Sequence, residues 1–310
     1  MRVTSNSYSE NLVTNFHALA RRQLNLQDQI ATGQRIKDAS DDPFAAQQVL
    51  QLRDDSVANA QYQKNIGVHQ EFAQVTHGLM RNLQKVLDRA GEIAATVDDL
   101  DSPKDLESYS TEVNQLLEHA LQIANAQHRG EFLLSGTRSD TKPFTDTKDA
   151  SGKITAIAFA GNSTTAESEI APGVLVSSRV PGENRATGER GLFADSQSGA
   201  DIFAHLVALR DQLNSGDVAT IQSTTRGQLL ADEENVLFHM ARNGALQSRL
   251  ESSLKSTRDE ELALDREISN RADVDLPEAI VRLNQQQTNY QAALQSASSI
   301  MNLSLLNFLR

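Results

Sequence analysis

Residues 279–310 read AIVRLNQQQTNYQAALQSASSIMNLSLLNFLR, and this stretch decides the fold. It holds no acid and only two basic residues, Arg282 and the final Arg310. An average composition would place about 8 charges in a run of that length. From just upstream, Leu276, Ile280, Leu283, Gln287, Tyr290, Leu294, Ala297, Met301, Ser304 and Phe308 recur in alternating steps of four and three. That is the spacing of a seam along which one helix packs on another. A coiled coil standing in water carries Glu and Lys beside such a seam. Here the flanks are Ala, Ser, Gln and Asn, which can be enclosed without stranding an ion in a medium of low dielectric.

The opening of the chain keeps the same rhythm through Leu12, Phe16, Leu19, Gln23, Leu26, Ile30 and Gly33. Between Leu12 and Leu19 the only titratable side chain is His17. Each seam is interrupted by a glutamine, Gln23 or Gln287, a polar position that either fixes register or simply faces solvent. A fully buried Leu, Ile or Phe contributes roughly 1.5–3 kcal/mol, whereas ordering the backbone costs roughly 1–2 kcal/mol per residue. One helix pair burying a single seam is therefore marginal. Both ends are expected to be mobile alone and to become ordered as copies stack. The alternative is an ordinary two-helix coiled coil inside one subunit.

Between the ends, Asp42-Pro43 opens a long helical segment, with Asp42 as N-cap and Pro43 at the first helical position. Its later seam is Leu79, Leu83, Val86, Ala90, Ile93 and Val97. After a turn near 98–102, Ser102-Pro103-Lys104-Asp105 restarts a helix as a capping box, with the seam Leu106, Tyr109, Val113, Leu116, Ala120 and Ile123. From Gly130 to about Gly199 the chain turns rich in Gly, Thr, Ser and Pro, and 153–159 (KITAIAF) and 174–180 (VLVSSRV) read as strands. Helical spacing resumes at Ile202, Leu206, Leu209 and Leu213, and a long helix is expected over about 217–269. The fold class is mainly α with a small β insertion, an elongated antiparallel bundle of long helices. It divides as 1–40, a terminal helix; 41–130, the first half of a rod; 131–200, the β-rich insertion; 201–270, the second half of the rod; and 271–310, the other terminal helix.

The chain has 310 residues, about two average domains, with 5% aromatics, no Trp, no Cys and a net charge of -12. Few aromatics favour thin helical packing over a thick layered core. Absent cysteine excludes disulfide scaffolds and thiolate chemistry. No run approaches the roughly 18 apolar residues of a membrane span, and the first residues lack the apolar run of a secretory signal. Charge is concentrated centrally: residues 41–270 carry -14, against +2 for 1–40 and zero for 271–310. An acidic surface argues against nucleic-acid binding, which needs a basic stripe. Walker, dinucleotide and HExxH patterns are missing, and the seven histidines are dispersed with no i, i+4 pair. Asp38, Asp41 and Asp42 do not match an EF-hand loop. Hence no catalytic, cofactor or metal residue is assigned, and a helical enzyme or metalloprotein is the weaker class.

The run Gln29-Ile30-Ala31-Thr32-Gly33-Gln34-Arg35-Ile36, followed by Asp38-Ala39-Ser40-Asp41-Asp42-Pro43, resembles the N-terminal signature of the bacterial flagellin family. Segments 284–290 and 301–309 resemble its C-terminal tail. Within the family, 130–137 (GEFLLSGT) with Pro143-Phe144 is similar to the branch standing at the hook–filament junction. The resemblance implies a structural subunit, exported by the flagellar type III system to the extracellular flagellum, with terminal helices joining the inner coiled-coil layer. It implies as partners neighbouring copies in a ring, a preceding hook-associated protein, flagellin, and a cytoplasmic export chaperone at the C-terminal region. A filament-forming flagellin is the alternative. Carried over by position, the expected assembly contacts are Leu12, Phe16, Leu19, Leu26 and Ile30 at one end. At the other they are Ile280, Leu283, Tyr290, Leu294, Met301, Leu305, Leu306 and Phe308. Asp41, Asp42 and Pro43 shape the turn into the rod, and Leu305 and Leu306 are the expected chaperone anchors.

Overall fold

The computed structural model describes the backbone of residues 5–308 except Asp99 and Thr187, and the side chains of Asn11 and of 13–299 with the same two exceptions. Helix α1 (Ser5–Thr32) is followed by α2 (Pro43–Thr96) and α3 (Pro103–Ala124). The Ala45 N–H donates to Asp42 Oδ1 at 3.1 Å, so Asp42 caps α2, and Pro43 is its first residue. Ser102 and Asp105 close the capping box of α3. Both starts were legible because cap residues satisfy amides that a helix cannot.

The described residues form two compact units, 1–59 with 259–310, and 60–258. In the second, Leu83, Val86, Ala90, Ile93 and Val97 of α2 meet Val113, Leu117 and Ala120 of α3 in one buried cluster. Leu206, Leu209 and Leu213 of α4 (Ile202–Ser215) join the same cluster. Leu117, unassigned by the sequence spacing, is fully buried, while Leu116 beside it is only partly so.

The β-rich stretch forms four small sheets. They are β1 (Gln127–His128) with β2 (Glu131–Phe132); β3 (Phe144–Lys148) with β4 (Ile154–Phe159); β5 (Ser168–Ala171) with β6 (Val174–Val176); and β7 (Glu183–Asn184), β8 (Ala194–Asp195) and β9 (Ala200–Asp201). The pairings are antiparallel except β7 with β8. The strand expected over 174–180 stops at Val176, because Ser178 Oγ turns to His69 Nδ1 at 2.8 Å and Arg179 pairs with Glu131. Gly136, inside the 130–137 motif, has φ 70°, and a Cβ there would lie 2.2 Å from the Asn162 carbonyl oxygen. Glycine is required at that crossing. Phe144 lies opposite Phe159 in the β3–β4 register and packs on Phe193 and Phe203 as well, with ring centroids 5.0–5.3 Å away. The insertion thus shares its core with the helices.

The long helix expected over 217–269 is interrupted. After Gly216, with φ 72°, Asp217 caps the short α5 (Val218–Thr220), a π-turn spans Ile221–Thr225, and α6 runs Arg226–Ala272. At the wider turn, buried Thr225 donates from Oγ1 to Gln212 Oε1 at 2.7 Å. Buried Asp232 of α6 accepts the Asp201 N–H at 2.9 Å and contacts His205 Nδ1 at 2.8 Å, tying α6 to the start of α4.

His239, also buried on α6, lies 3.2 Å from the Gly191 carbonyl through Nε2. Burial pushes its pKa from 6.5 down to about 4, against the upward pull of that carbonyl. The unfolded imidazole takes a proton near pH 6.5 that the folded one refuses. Stability therefore falls as pH drops through this window, and the loss from this group reaches about 3 kcal/mol below pH 4. Chemical denaturation of His239→Gln from pH 7 to 4 should show a flatter decline than the parent. An unchanged slope would assign the acid sensitivity elsewhere.

Candidate functional site

The unit formed by 1–59 and 259–310 is built from α1, the start of α2, the end of α6, and α7 (Leu276–Phe308). Helices α1 and α7 run antiparallel. Phe16 meets Tyr290 edge-on at 5.9 Å, and Gln286 Nε2 donates to the Leu19 carbonyl at 3.4 Å. At the other end, Gln34 bridges Asp273.

The two connecting loops are stitched together there. Arg35 N–H donates to the Ala272 carbonyl at 2.6 Å, and Val274 N–H to the Gly33 carbonyl at 2.9 Å. The Arg35 guanidinium donates to the Arg271 carbonyl at 2.8 Å and lies 3.5 Å from Asp42. Asp41 Oδ2 accepts the Lys37 and Asp38 N–H groups, which shapes the turn into α2. The signature stretch 29–43 is therefore a built corner: Gly33 at φ 74° ends α1 and Asp42 starts α2. Sequence reasoning took Asp41, Asp42 and Pro43 from this corner and missed Arg35, whose bonds run to backbone carbonyls over two hundred residues away, and Arg271, whose guanidinium joins the side chains of Glu267 and Gln48.

Along the pair, Phe16, Leu19, Leu26 and Ile30 of α1 are half-buried, as are Leu283 and Tyr290 of α7. Ile280 and Leu294 are each 47% exposed. The inner face of α7 is Ala279, Leu283, Gln286, Gln287, Tyr290, Ala293 and Ala297, so Gln287 is partly buried and not turned to solvent. One column of the expected seam, Leu283, Tyr290 and Ala297, thus turns inward with small or amide neighbours. Leu276, Ile280 and Leu294 turn outward, with Val281 beside them. On α1, Val13 and Leu24 are likewise exposed. The missed inner residues Ala279, Gln286 and Ala293 do carry a signal, a seven-residue column of small or amide side chains. Asp42 is half-buried and Pro43 exposed. The side chains of Leu12, Met301, Leu305, Leu306 and Phe308 lie outside the described residues.

The chemistry of this surface is mostly that of neutral amides. A groove of about 470 Å³ along the pair is lined by the amides of Asn25, Gln29, Gln285, Gln286 and Asn289, between Arg22 and Arg282. Among the described residues, the buried apolar side chains of this unit are Ala45, Val49, Ala272, Ala279 and Ala297, all small. Yet ten of the sixteen exposed large apolar side chains belong to it.

Comparison with known proteins points one way. The model of the bacterial flagellin N-terminal helical region matches residues 3–139, and that of the flagellin C-terminal helical region matches 235–309. Over 301 residues, covering 90% of both chains, the sequence is 25% identical to flagellar hook-associated protein 3 of Escherichia coli (strain K12). It is also 25% identical, over the whole of both chains, to the protein of that name from Salmonella typhimurium. In fold, 75% of the chain is similar to the whole of a solved putative flagellar hook-associated protein from Vibrio parahaemolyticus, with a TM-score of 0.64 and 22% identity.

Proposed function

The chain belongs to the bacterial flagellin family, and we propose that it is the structural subunit of the hook–filament junction, an adaptor ring whose terminal helices engage neighbouring copies. The observation that carries this reading is the composition of its terminal unit, in which the apolar side chains buried among the described residues are four alanines and Val49, while Leu24, Ile280, Val281 and Leu294 stay exposed. Large apolar side chains are stabilising only when removed from water, and a stacked neighbour removes them. The neutral groove amides then bond to the backbone or amides of that neighbour, leaving no charge unpaired. Filament-forming flagellin shares the terminal regions. The relatives matched over 90% or more of their length carry the hook-associated name, which favours the junction.

In this role the protein acts mechanically, without catalysis. It sits on a preceding hook-associated protein and receives flagellin above, extracellularly, after passage through the flagellar type III system. Leu305 and Leu306 are the contacts offered to an export chaperone, and Leu12, Met301 and Phe308 extend the assembly seam. A strain lacking the gene should build hooks and shed its filaments into the medium. Normal motility with attached filaments in that strain would refute the junction role.

A further inference from the structure

Leu100 is 92% exposed, the highest value for a large apolar side chain among the described residues. It stands on the turn between α2 and α3, where the sequence reads Asp98-Asp99-Leu100-Asp101. The turn is held in shape: Leu100 N–H donates to Asp98 Oδ1 at 2.8 Å, Asp98 N–H to Asp101 Oδ2 at 2.9 Å, and Asp101 N–H to the Asp98 carbonyl at 3.2 Å. A leucine is thus presented to water beside acidic residues whose side chains accept the backbone N–H groups of Asp98 and Leu100.

The same unit contains a complementary receptor. A cavity of about 370 Å³ lies between the segment following β6 and the middle of α6. Val176, Val180 and Leu246 supply apolar wall, and Arg179, Arg242 and Arg249 supply positive charge against Glu167 and Glu189. Arg179 is held by Glu131 and Arg242 by Glu189. Arg249 has no side-chain partner among the described residues. In a chain of net charge -12, a half-apolar cavity whose Arg249 is left without a side-chain partner among the described residues is matched to an acidic, apolar-tipped partner. The α2–α3 turn is such a tip.

We propose that Leu100 of one copy seats in the arginine-bearing cavity of the next, with Asp98 and Asp101 facing Arg249. Opposite charges steer the two surfaces and fix their register, and the leucine is the buried anchor. The two surfaces differ, so the contact is heterologous and runs head to tail from copy to copy, as a ring requires. The inference rests on the reading of the chain as a ring subunit, where copies meet at fixed spacing.

The absence of cysteine makes the contact directly testable. Leu100→Cys with Ala245→Cys places the only thiols on the tip and on the cavity wall, both at exposed positions, so the fold is kept. The full-length double variant is expressed in cells in place of the parent, and its assembled hooks are treated with a short bis-maleimide. A ladder of dimers, trimers and larger species is expected, with the single variants giving no species beyond a dimer. Adding Arg249→Glu should reduce the ladder at least 10-fold, and adding Asp101→Arg as well should restore it. Loss of filaments from Leu100→Cys alone, with the chain still secreted and folded, would also support the contact. Filaments retained with no ladder, from this pair and from Asp101→Cys with Arg249→Cys, would overturn it. The ring reading is judged separately by the deletion strain.

Discussion

Replacing Phe144 by alanine is expected to lower the stability of the 60–258 unit by about 3–5 kcal/mol, the range for truncating a fully buried phenylalanine. Its ring touches Phe159, Phe193 and Phe203, and Gly182 approaches so closely that a Cβ there would stand 2.9 Å from it. Such a site cannot collapse, because its walls come from β4, α4 and the segment 182–193 that includes β7, each tied elsewhere. The backbone at Phe144 stays anchored, its N–H and carbonyl both bonded to the Asn125 side chain at 3.0 Å. The variant therefore isolates the ring. For a unit of this size each kcal/mol shifts Tm by about 2–4 °C, so calorimetry should record a drop on the order of 10 °C. Phe238→Ala, at an exposed ring under Arg190, serves as the control and should cost less than about 1 kcal/mol. Equal losses from the two would mean that the aromatic cluster is not the junction between insertion and helices.

That junction was the part of the fold least legible in the sequence. Helix starts at Asp42-Pro43 and Ser102-Pro103 could be read because cap chemistry is local. Seams at 79–97 and 106–123 could be read because helical periodicity is local too. The aromatic cluster joins Phe144, Phe159, Phe193 and Phe203 across sixty residues, and nothing in their spacing announces it. The π-turn at 221–225 was hidden for a related reason: it is set by Thr225 finding Gln212 and by Gln222 donating to the Val97 carbonyl at 3.1 Å. At the terminal pair, the spacing identified the apolar columns but not which of them the chain uses on itself. Leu283 and Ile280 are equivalent in a heptad drawn on paper. Only the position of α1 makes one inward and the other outward.

This division between columns supplies the sharpest test of how the termini act. Ile280→Asp with Leu294→Asp alters side chains of the outward column, each 47% exposed in the single subunit. Helix content and Tm of the purified chain should match the parent within error, since exposed substitutions usually change stability by no more than about 0.5 kcal/mol. On assembly the same carboxylates would be enclosed among mostly neutral amides, with the nearby Arg282 already held by Glu278. An unpaired buried charge costs several kcal/mol, and every 1.4 kcal/mol is tenfold in association. Incorporation at hook tips should therefore fall by more than 100-fold, read by immunolabelling of secreted and cell-attached protein. Leu283→Asp should behave in the opposite order, lowering helix content in the isolated chain because its side chain faces α1. If Ile280→Asp with Leu294→Asp assembles normally, the outward column faces solvent in the organelle as well, and the neutral flanks of α7 must serve some end other than enclosure by sister subunits.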